Sequence, residues 1–240
     1  MQESAATNNS YSVELVAYRD LSPRVRSFEI RFDPAESFIF QAGQFVAVEF
    51  SIDQQNYSRF YSICSPPEAR NSLEFLAKYN PGGPGTQFLW STKPGSRFSL
   101  AGPFGVFQLR RPEPRASMFV ATGTGIAPLR SMLGSILPDT GGPRMALLYG
   151  AREQADLLYH SEFVDWAQRN PNFSYSAVLS QPSNGWSGLW GYVQDHIAAV
   201  VNASKPEDVY LSGLTAMVED LRRILTPLGF NDDSIYCEKA

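Results

Sequence analysis

The chain has 240 residues, 43% of them hydrophobic, with 20 Lys plus Arg, 24 Asp plus Glu and a formal net charge of −4. That length holds one large domain or two of ordinary size. A dispersed, slightly acidic charge excludes nucleic-acid binding as the main task, since that needs a clustered basic face.

The chain in order begins with a polar stretch, residues 1–10, which lacks the apolar core of a signal peptide and reads as a mobile tail. No apolar run approaches membrane-spanning length, so a soluble cytoplasmic protein is expected. From Tyr11 the pattern is short strands: Tyr11–Tyr18, Val25–Phe32, Phe45–Phe50, Ser58–Cys64, Leu73–Tyr79, Arg97–Leu100 and Val106–Leu109. Turn residues separate them, at Asp33-Pro34, Ala42-Gly43, Pro66-Pro67, Pro94-Gly95 and Gly102-Pro103. Short strands at this spacing predict a closed antiparallel barrel. One break is Gly82-Gly-Pro-Gly-Thr-Gln-Phe-Leu-Trp90, a Gly-rich turn leading into a short helix and a candidate phosphate site.

Arg111-Pro-Glu-Pro-Arg115 is Pro-rich and charged, and marks the expected domain boundary. The division is then a barrel over 11–111, a linker over 112–115 and a second domain over 116–240. In the second domain apolar runs at Met118–Ala121, Met145–Tyr149, Tyr175–Leu179, Val209–Leu211 and Ser234–Cys237 alternate with helical patterns at Ile126–Leu137, His160–Arg169, Leu189–Val200 and Ala216–Leu228. That alternation predicts an α/β domain with a parallel sheet covered on both faces. Ligands of such sheets bind beyond the carboxyl ends of the strands. Those ends are Gly123–Gly125, Gly150–Arg152, Ser180–Gln181 and Ser212–Gly213.

The stretch Phe119-Val-Ala-Thr-Gly-Thr-Gly-Ile-Ala-Pro128 runs strand, Gly-rich turn, helix. Alone it fits an ordinary turn as well as a phosphate cradle, in which glycines admit a ligand and the helix start offers free N–H groups. Arg59-Phe60-Tyr61-Ser62 lies in a predicted strand whose alternation puts Arg59 and Tyr61 on one face, Phe60 and Ser62 on the other. Cys64 and Cys237 form no Cys-x-x-Cys or Cys/His cluster, so neither an iron–sulfur centre nor a metal is expected. His160 and His196 have no ligand-spaced partners, and Trp90, Trp166, Trp186 and Trp190 are expected to pack.

Arg-x-Tyr-Ser on a barrel strand, a Gly-rich turn some way on, Gly-Pro-Phe-Gly-x-Phe at 102–107 and Gly-Thr-Gly-Ile-Ala-Pro at 123–128 follow in order. The combination resembles the ferredoxin–NADP reductase family of flavoproteins, over essentially residues 11–240. The resemblance implies FAD on the barrel, with FMN as the alternative. Arg59 would pair with a flavin phosphate, Tyr61 would stack on the isoalloxazine, and Phe60 would stand beside it. Ser62 would hydrogen-bond near flavin N5. Lys78 and Tyr79 would lie by the ribityl or adenosine part. Gly83, Pro84, Gly85 and Thr86 would wrap the pyrophosphate.

The second domain, by the same resemblance, takes NADH or NADPH. Gly123, Thr124, Gly125 and Pro128 would lie at its pyrophosphate, with Thr124 also near the flavin. Gly150, Arg152, Ser180 and Gly213 would line the rest of the site, although Arg152 reads equally as a solvated surface arginine. The segment Val178–Pro182 with Trp186, Gly188 and Gly191–Val193 resembles the oxygenase-reductase branch. Gln181 stands where NADP-preferring relatives often carry Arg, which favours NADH. Ser212 replaces the family's usual Cys, and Glu238 matches its acidic residue near the flavin; with Tyr61 and Ser62 these complete the catalytic set. Ala240 stands where many members place an aromatic lid.

The expected function is transfer of hydride from NAD(P)H to FAD, and then of electrons to a separate protein such as a ferredoxin, flavodoxin or oxygenase component. The alternatives are a reductase acting on free flavin and a non-catalytic, redox-sensing subunit that binds FAD.

Overall fold

The computed structural model describes residues 10–68, 71–110, 115–137 and 141–239. The expected tail (apart from Ser10), the linker (apart from Arg115) and Ala240 therefore lie outside the described residues.

Six strands build the first half: β1 (Ser10–Ser22), β2 (Val25–Arg31), β3 (Phe45–Ile52), β4 (Gln55–Ser62), β5 (Ser72–Lys78) and β6 (Arg97–Phe104). They pair antiparallel in the order β4-β3-β6-β1-β2-β5. The two edges meet at an Ile63–Phe75 bridge, reinforced by the Cys64 N–H donating to the Glu74 carbonyl at 2.7 Å. The barrel is filled by alternating inward residues such as Val13, Leu15, Phe28, Ile30, Val46, Val48 and Phe75. Helix α1 (Pro84–Ser91) follows the Gly-rich turn after β5, with Leu89 buried in the barrel core.

The second half is a parallel sheet in the order β10-β9-β8-β7-β11-β12. In chain order it comprises β7 (Ser117–Thr122), α2 (Ile126–Ile136), β8 (Met145–Ala151), α3 (His160–Arg169), β9 (Phe173–Leu179) and β10 (Leu189–Trp190). Helix α4 (Val193–Ser204), β11 (Asp208–Gly213), α5 (Thr215–Leu225) and β12 (Ile235–Lys239) complete it. Alternation along β7 decides the layers. Phe119 and Ala121 face α2 and α3, while Met118 and Val120 face α4 and α5. The first of these cores extends beyond its own domain. Val25, Ala42, Cys64, Leu76, Phe107 and Leu109 belong to the same buried cluster as Leu129, Met132 and Leu133 of α2.

Four readings from sequence are corrected. Val106–Leu109 alternates but is not a strand: Gly105 turns the chain at φ +99°. Phe107 and Leu109 then bury in the interdomain cluster while Val106 is exposed. Gly102-Pro103 is not a turn but lies inside β6. Leu189–Val200 is not one helix. Leu189-Trp190 pairs with β9, Gly191 adopts φ +107°, and α4 starts where Asp195 Oδ2 accepts the Tyr192 N–H at 2.7 Å. Trp190 does not pack, being 72% exposed, although its carbonyl meets His196 Nε2 at 2.8 Å. Trp186 is half-buried and donates to the Leu189 carbonyl.

Leu129 is fully buried in the shared cluster. Leu129→Ala should lower unfolding stability by about 2–5 kcal/mol. A shift in the urea midpoint measures this, and an unchanged midpoint would show that the shared core is loosely packed.

Candidate functional site

Sheet order places the site. The chain runs outward from β7 through β8, β9 and β10, then returns to put β11 on the other side of β7. The reversal opens a crevice between the carboxyl ends of β7 and β11, where Gly123–Gly125 and Ser212–Gly213 stand. The two backbones nearly touch. A Cβ on Gly125 would come 2.4 Å from the Ser212 carbonyl oxygen, and one on Gly213 (φ +146°) would come 2.5 Å from Thr122 Oγ1. Gly123 has φ +55° and open space around its missing side chain. Neither the single turn at Gly123–Gly125 nor α2 has a side-chain cap. These amides are therefore available to a phosphate. Pro128 sits in the first turn of α2, where its missing N–H leaves no helical bond unmade.

The barrel offers a second such turn. Helix α1 begins after Gly83 with no side-chain cap. Gly85 is pressed against β4, since a Cβ there would meet Tyr61 Oη at 2.6 Å and Arg59 Cγ at 3.1 Å. Arg59 and Tyr61 thus share the face predicted for them. The Arg59 guanidinium donates to the Ser58 carbonyl and has no carboxylate partner among the described residues. Tyr61 stacks on Phe75 with centroids 5.0 Å apart. Burial pushes its phenol up to about 12, against the pull of Arg59, so the ring stays neutral. Phe60 faces the other way, exposed and edge-on to Phe45. Thr86 Oγ1 accepts the Asn80 N–H at 2.9 Å, leaving its own proton to donate. Lys78 and Tyr79 are exposed where β5 ends.

The two halves meet at a carboxylate. Glu238 on β12 accepts from Ser62 Oγ of β4 at 3.3 Å and from Ser212 Oγ of β11 at 3.4 Å, both on Oε2. Residues 176 positions apart are so brought within hydrogen-bond reach. Burial raises the Glu238 carboxyl above its ordinary range, and the two hydroxyls pull it partly back. Ser212 is itself buried.

Farther along the same edge, Gly150, next to last in β8, lies under Val193 and Thr122. The Ser180 and Gln181 amides donate to the Ala151 and Arg152 carbonyls at 3.1 and 2.8 Å, which ties Arg152 beside Gln181. Arg152 is exposed and has no salt bridge among the described residues. Two supports were not assigned from sequence. Tyr149 Oη donates to the Gly123 carbonyl at 3.0 Å and accepts the Leu158 N–H at 3.3 Å. Thr122 wedges between Gly150 and Gly213. Tyr149 is part of the Tyr-Gly-Ala-Arg run, but nothing in that run signals a partner at Gly123.

The family model for the oxidoreductase FAD-binding domain matches residues 12–109. That for the oxidoreductase NAD-binding domain matches residues 119–223. Ferredoxin–NADP reductase B of Sorangium cellulosum is 33% identical over 220 residues, covering 89% of this chain and 90% of the relative. The chain belongs to the ferredoxin–NADP reductase family. It is therefore an NAD(P)H-dependent flavoprotein oxidoreductase that uses FAD. The electron transfer component of anthranilate 1,2-dioxygenase from Acinetobacter baylyi is 31% identical over 201 residues, covering 83% of this chain but only 58% of that protein. A Neisseria gonorrhoeae ferredoxin NADP+ reductase with bound FAD and NADP shares the fold at a TM-score of 0.82 and 19% identity, over 96% of this chain and 98% of that one. The residues present fit the family's cofactors: one uncapped turn lies on β4 of the barrel and another at the carboxyl end of β7, and the glycines at 85 and 125 leave no room for a side chain. No helix among the described residues is long and apolar enough to cross a membrane.

The raised Glu238 carboxyl has a measurable consequence in the ligand-free protein. The native state binds this proton more tightly than the unfolded chain, so the stability it contributes at low pH is lost as pH rises through its native value. Glu238→Gln should therefore raise the thermal midpoint at mildly alkaline pH and change it little in acid. A midpoint lowered at alkaline pH would show instead that the ionised carboxylate is held favourably.

Proposed function

We propose that this chain draws electrons from NAD(P)H and delivers them to a separate small acceptor protein: a ferredoxin, a flavodoxin or an oxygenase component. The observation that carries the reading is the meeting of Ser62, Ser212 and Glu238 between two uncapped, glycine-lined turns. When bound, FAD supplies the chemistry by accepting hydride from the nicotinamide and releasing electrons singly. The protein binds, orients and excludes water.

In this reading residues 11–111 carry the flavin, 112–115 link, and 116–240 carry the nucleotide. Arg59, bonded to the Ser58 carbonyl but without a carboxylate partner among the described residues, offers its remaining donors to a flavin phosphate. Tyr61 presents a neutral ring, backed by Phe75, to the isoalloxazine, while Phe60, on the opposite face of β4, is exposed to contact the cofactor only from outside that stack. The amides and hydroxyl of Gly83, Pro84, Gly85 and Thr86 hold the pyrophosphate, where Pro84 contributes shape rather than a donor. Lys78 and Tyr79 cover the adenosine side. Gly123, Thr124, Gly125 and Pro128 receive the nucleotide's pyrophosphate. Gly150, Arg152, Ser180 and Gly213 line the remaining edge. Ser62 turns its hydroxyl from Glu238 to the flavin, Ser212 orients the nicotinamide amide, and Glu238 holds a proton within reach of both.

A neutral Gln181 favours NADH over NADPH, because that side chain offers no charge to a 2′-phosphate, and Arg152 beside it is the cation that would have to supply one. The names of the two relatives described above support a ferredoxin or an oxygenase component as acceptor. Two unpaired cysteines suit a reducing compartment, and with the donor nucleotides they support a cytoplasmic location.

An anaerobic titration followed at the flavin's visible band tests the reading. Bleaching is expected with NADH and more slowly with NADPH. No bleaching with either sinks the reductase, and equal or faster bleaching with NADPH refutes the role given to Gln181. Arg59→Ala should weaken flavin binding by about 1.5–3 kcal/mol, roughly 10- to 150-fold. Unchanged flavin content after dialysis would show that Arg59 does not hold the phosphate.

A further inference from the structure

The back of the junction carries a charged cluster that the site chemistry does not use. Arg130 of α2 has a side chain only 13% exposed. Its Nε and Nη2 grip both oxygens of Glu162 in α3, at 2.7 and 3.0 Å. Its Nη1 donates to the Cys64 carbonyl at 2.8 Å and to Glu74 Oε2 of β5 at 3.1 Å. The guanidinium lies 4.1 Å from the centroid of the Tyr159 ring, and Tyr159 Oη donates to Glu74 Oε1 at 2.8 Å. The next residue, Ser131, donates from its hydroxyl to the Ser65 carbonyl at 2.7 Å.

We propose that Arg130 is a positioning residue that fixes the end of β4, and with it Ser62, against the nucleotide turn at Gly123–Gly125. The inference rests on the functional reading above. Cys64 and Ser65 lie just past Ser62, in the segment that closes the barrel. That segment is bonded on one side to the backbone of Glu74 and on the other to Arg130 and Ser131. Arg130 in turn belongs to the helix that starts at Ile126, directly after the glycine turn. One rigid side chain therefore spans the flavin-side strand end and the nucleotide-side helix. The apolar cluster around it is non-directional and fixes how closely α2 packs, whereas a forked guanidinium with four oxygen contacts also fixes the direction of the Cys64 carbonyl it holds. Lys cannot reproduce the geometry, because it is a point charge on a flexible stem.

The test uses the full chain loaded with FAD, comparing wild type with Arg130→Met, Arg130→Lys and Glu162→Gln. Arg130→Met should keep its flavin and its affinity for ADP-ribose, which lacks the nicotinamide. Bleaching at saturating nucleotide should slow by about 100-fold, the scale of a misplacement near 1 Å. The long-wavelength charge-transfer absorbance of the nucleotide complex should fade in parallel, with KM unchanged. Arg130→Lys should recover part of the rate, and Glu162→Gln should fall between wild type and Arg130→Met. A wild-type rate and band in Arg130→Met would overturn the proposal, as would a rate loss explained wholly by lost flavin. If Arg130→Met does not fold, Glu162→Gln decides: slower bleaching with full flavin supports the proposal, and the wild-type rate overturns it. Amide hydrogen exchange separates this from failure of the reductase reading. Even if no nucleotide bleaches the wild type, faster exchange at Cys64 and Ser65 with barrel and sheet interiors still protected supports the positioning role, and unchanged exchange overturns it.

Discussion

Helix α2 is buried by two domains at once. Its residues Leu129, Met132 and Leu133 are fully enclosed in a cluster that contains Phe119 and Tyr149 of the parallel sheet together with Cys64, Leu76 and Phe107 from the barrel side. A helix that buries one face can slide or rock on its sheet, but one packed from both sides cannot without opening a void. This constraint sets where the first turn of α2 points. The uncapped turn at Gly123–Gly125 therefore lies against the barrel, beside β5.

Close approach then tightens the junction. Gly125 lets its turn lie on the Ser212 carbonyl, Gly213 admits Thr122, and Gly85 lets α1 rest on Arg59 and Tyr61. Each contact excludes a side chain. The polar balance is equally spare. Glu238 is the one carboxylate in the crevice among the described residues that both Ser62 and Ser212 reach, and burial raises its carboxyl above the ordinary value. On the far side of the same strand end, Arg130 pairs with both Glu74 and Glu162, and Arg19 stands 3.9 Å from Glu74 as the second cation. Charge is thus paired behind the junction and left open in front of it, where Arg59 and Arg152 have no acidic partner among the described residues.

Local pattern made much of this legible. Strand alternation in the first half, the switch to strand–helix alternation after the Pro-rich boundary, and the two Gly-rich turns are all short-range signals. Apart from Val106–Leu109 and the start of Leu189–Val200, the elements formed within a few residues of where period and turn residues placed them. The misreadings share one cause. Val106–Leu109 alternates because it crosses between two domains, not because it pairs in a sheet. Leu189-Trp190 reads as the start of a helix until Gly191 and the Asp195 cap interrupt it. Trp190 looks like a packing residue but is bare. In each case the surroundings, rather than the segment, set the state, and periodicity cannot see surroundings.

Sequence alone determined the two-domain plan, the antiparallel-then-parallel order, and the residue types able to hold phosphate and a flat ring, because those follow from periods of two and 3.6 residues and from glycine's conformational freedom. Only the tertiary structure decided that Ser62, Ser212 and Glu238 converge, that Tyr149 holds the Gly123 turn, and that Arg130 ties the barrel's closing segment to α2. Those contacts join positions 26 to 176 residues apart. Separations of that size are fixed by the return of β11 beside β7 and by burial of α2 between two domains, and no local pattern encodes either.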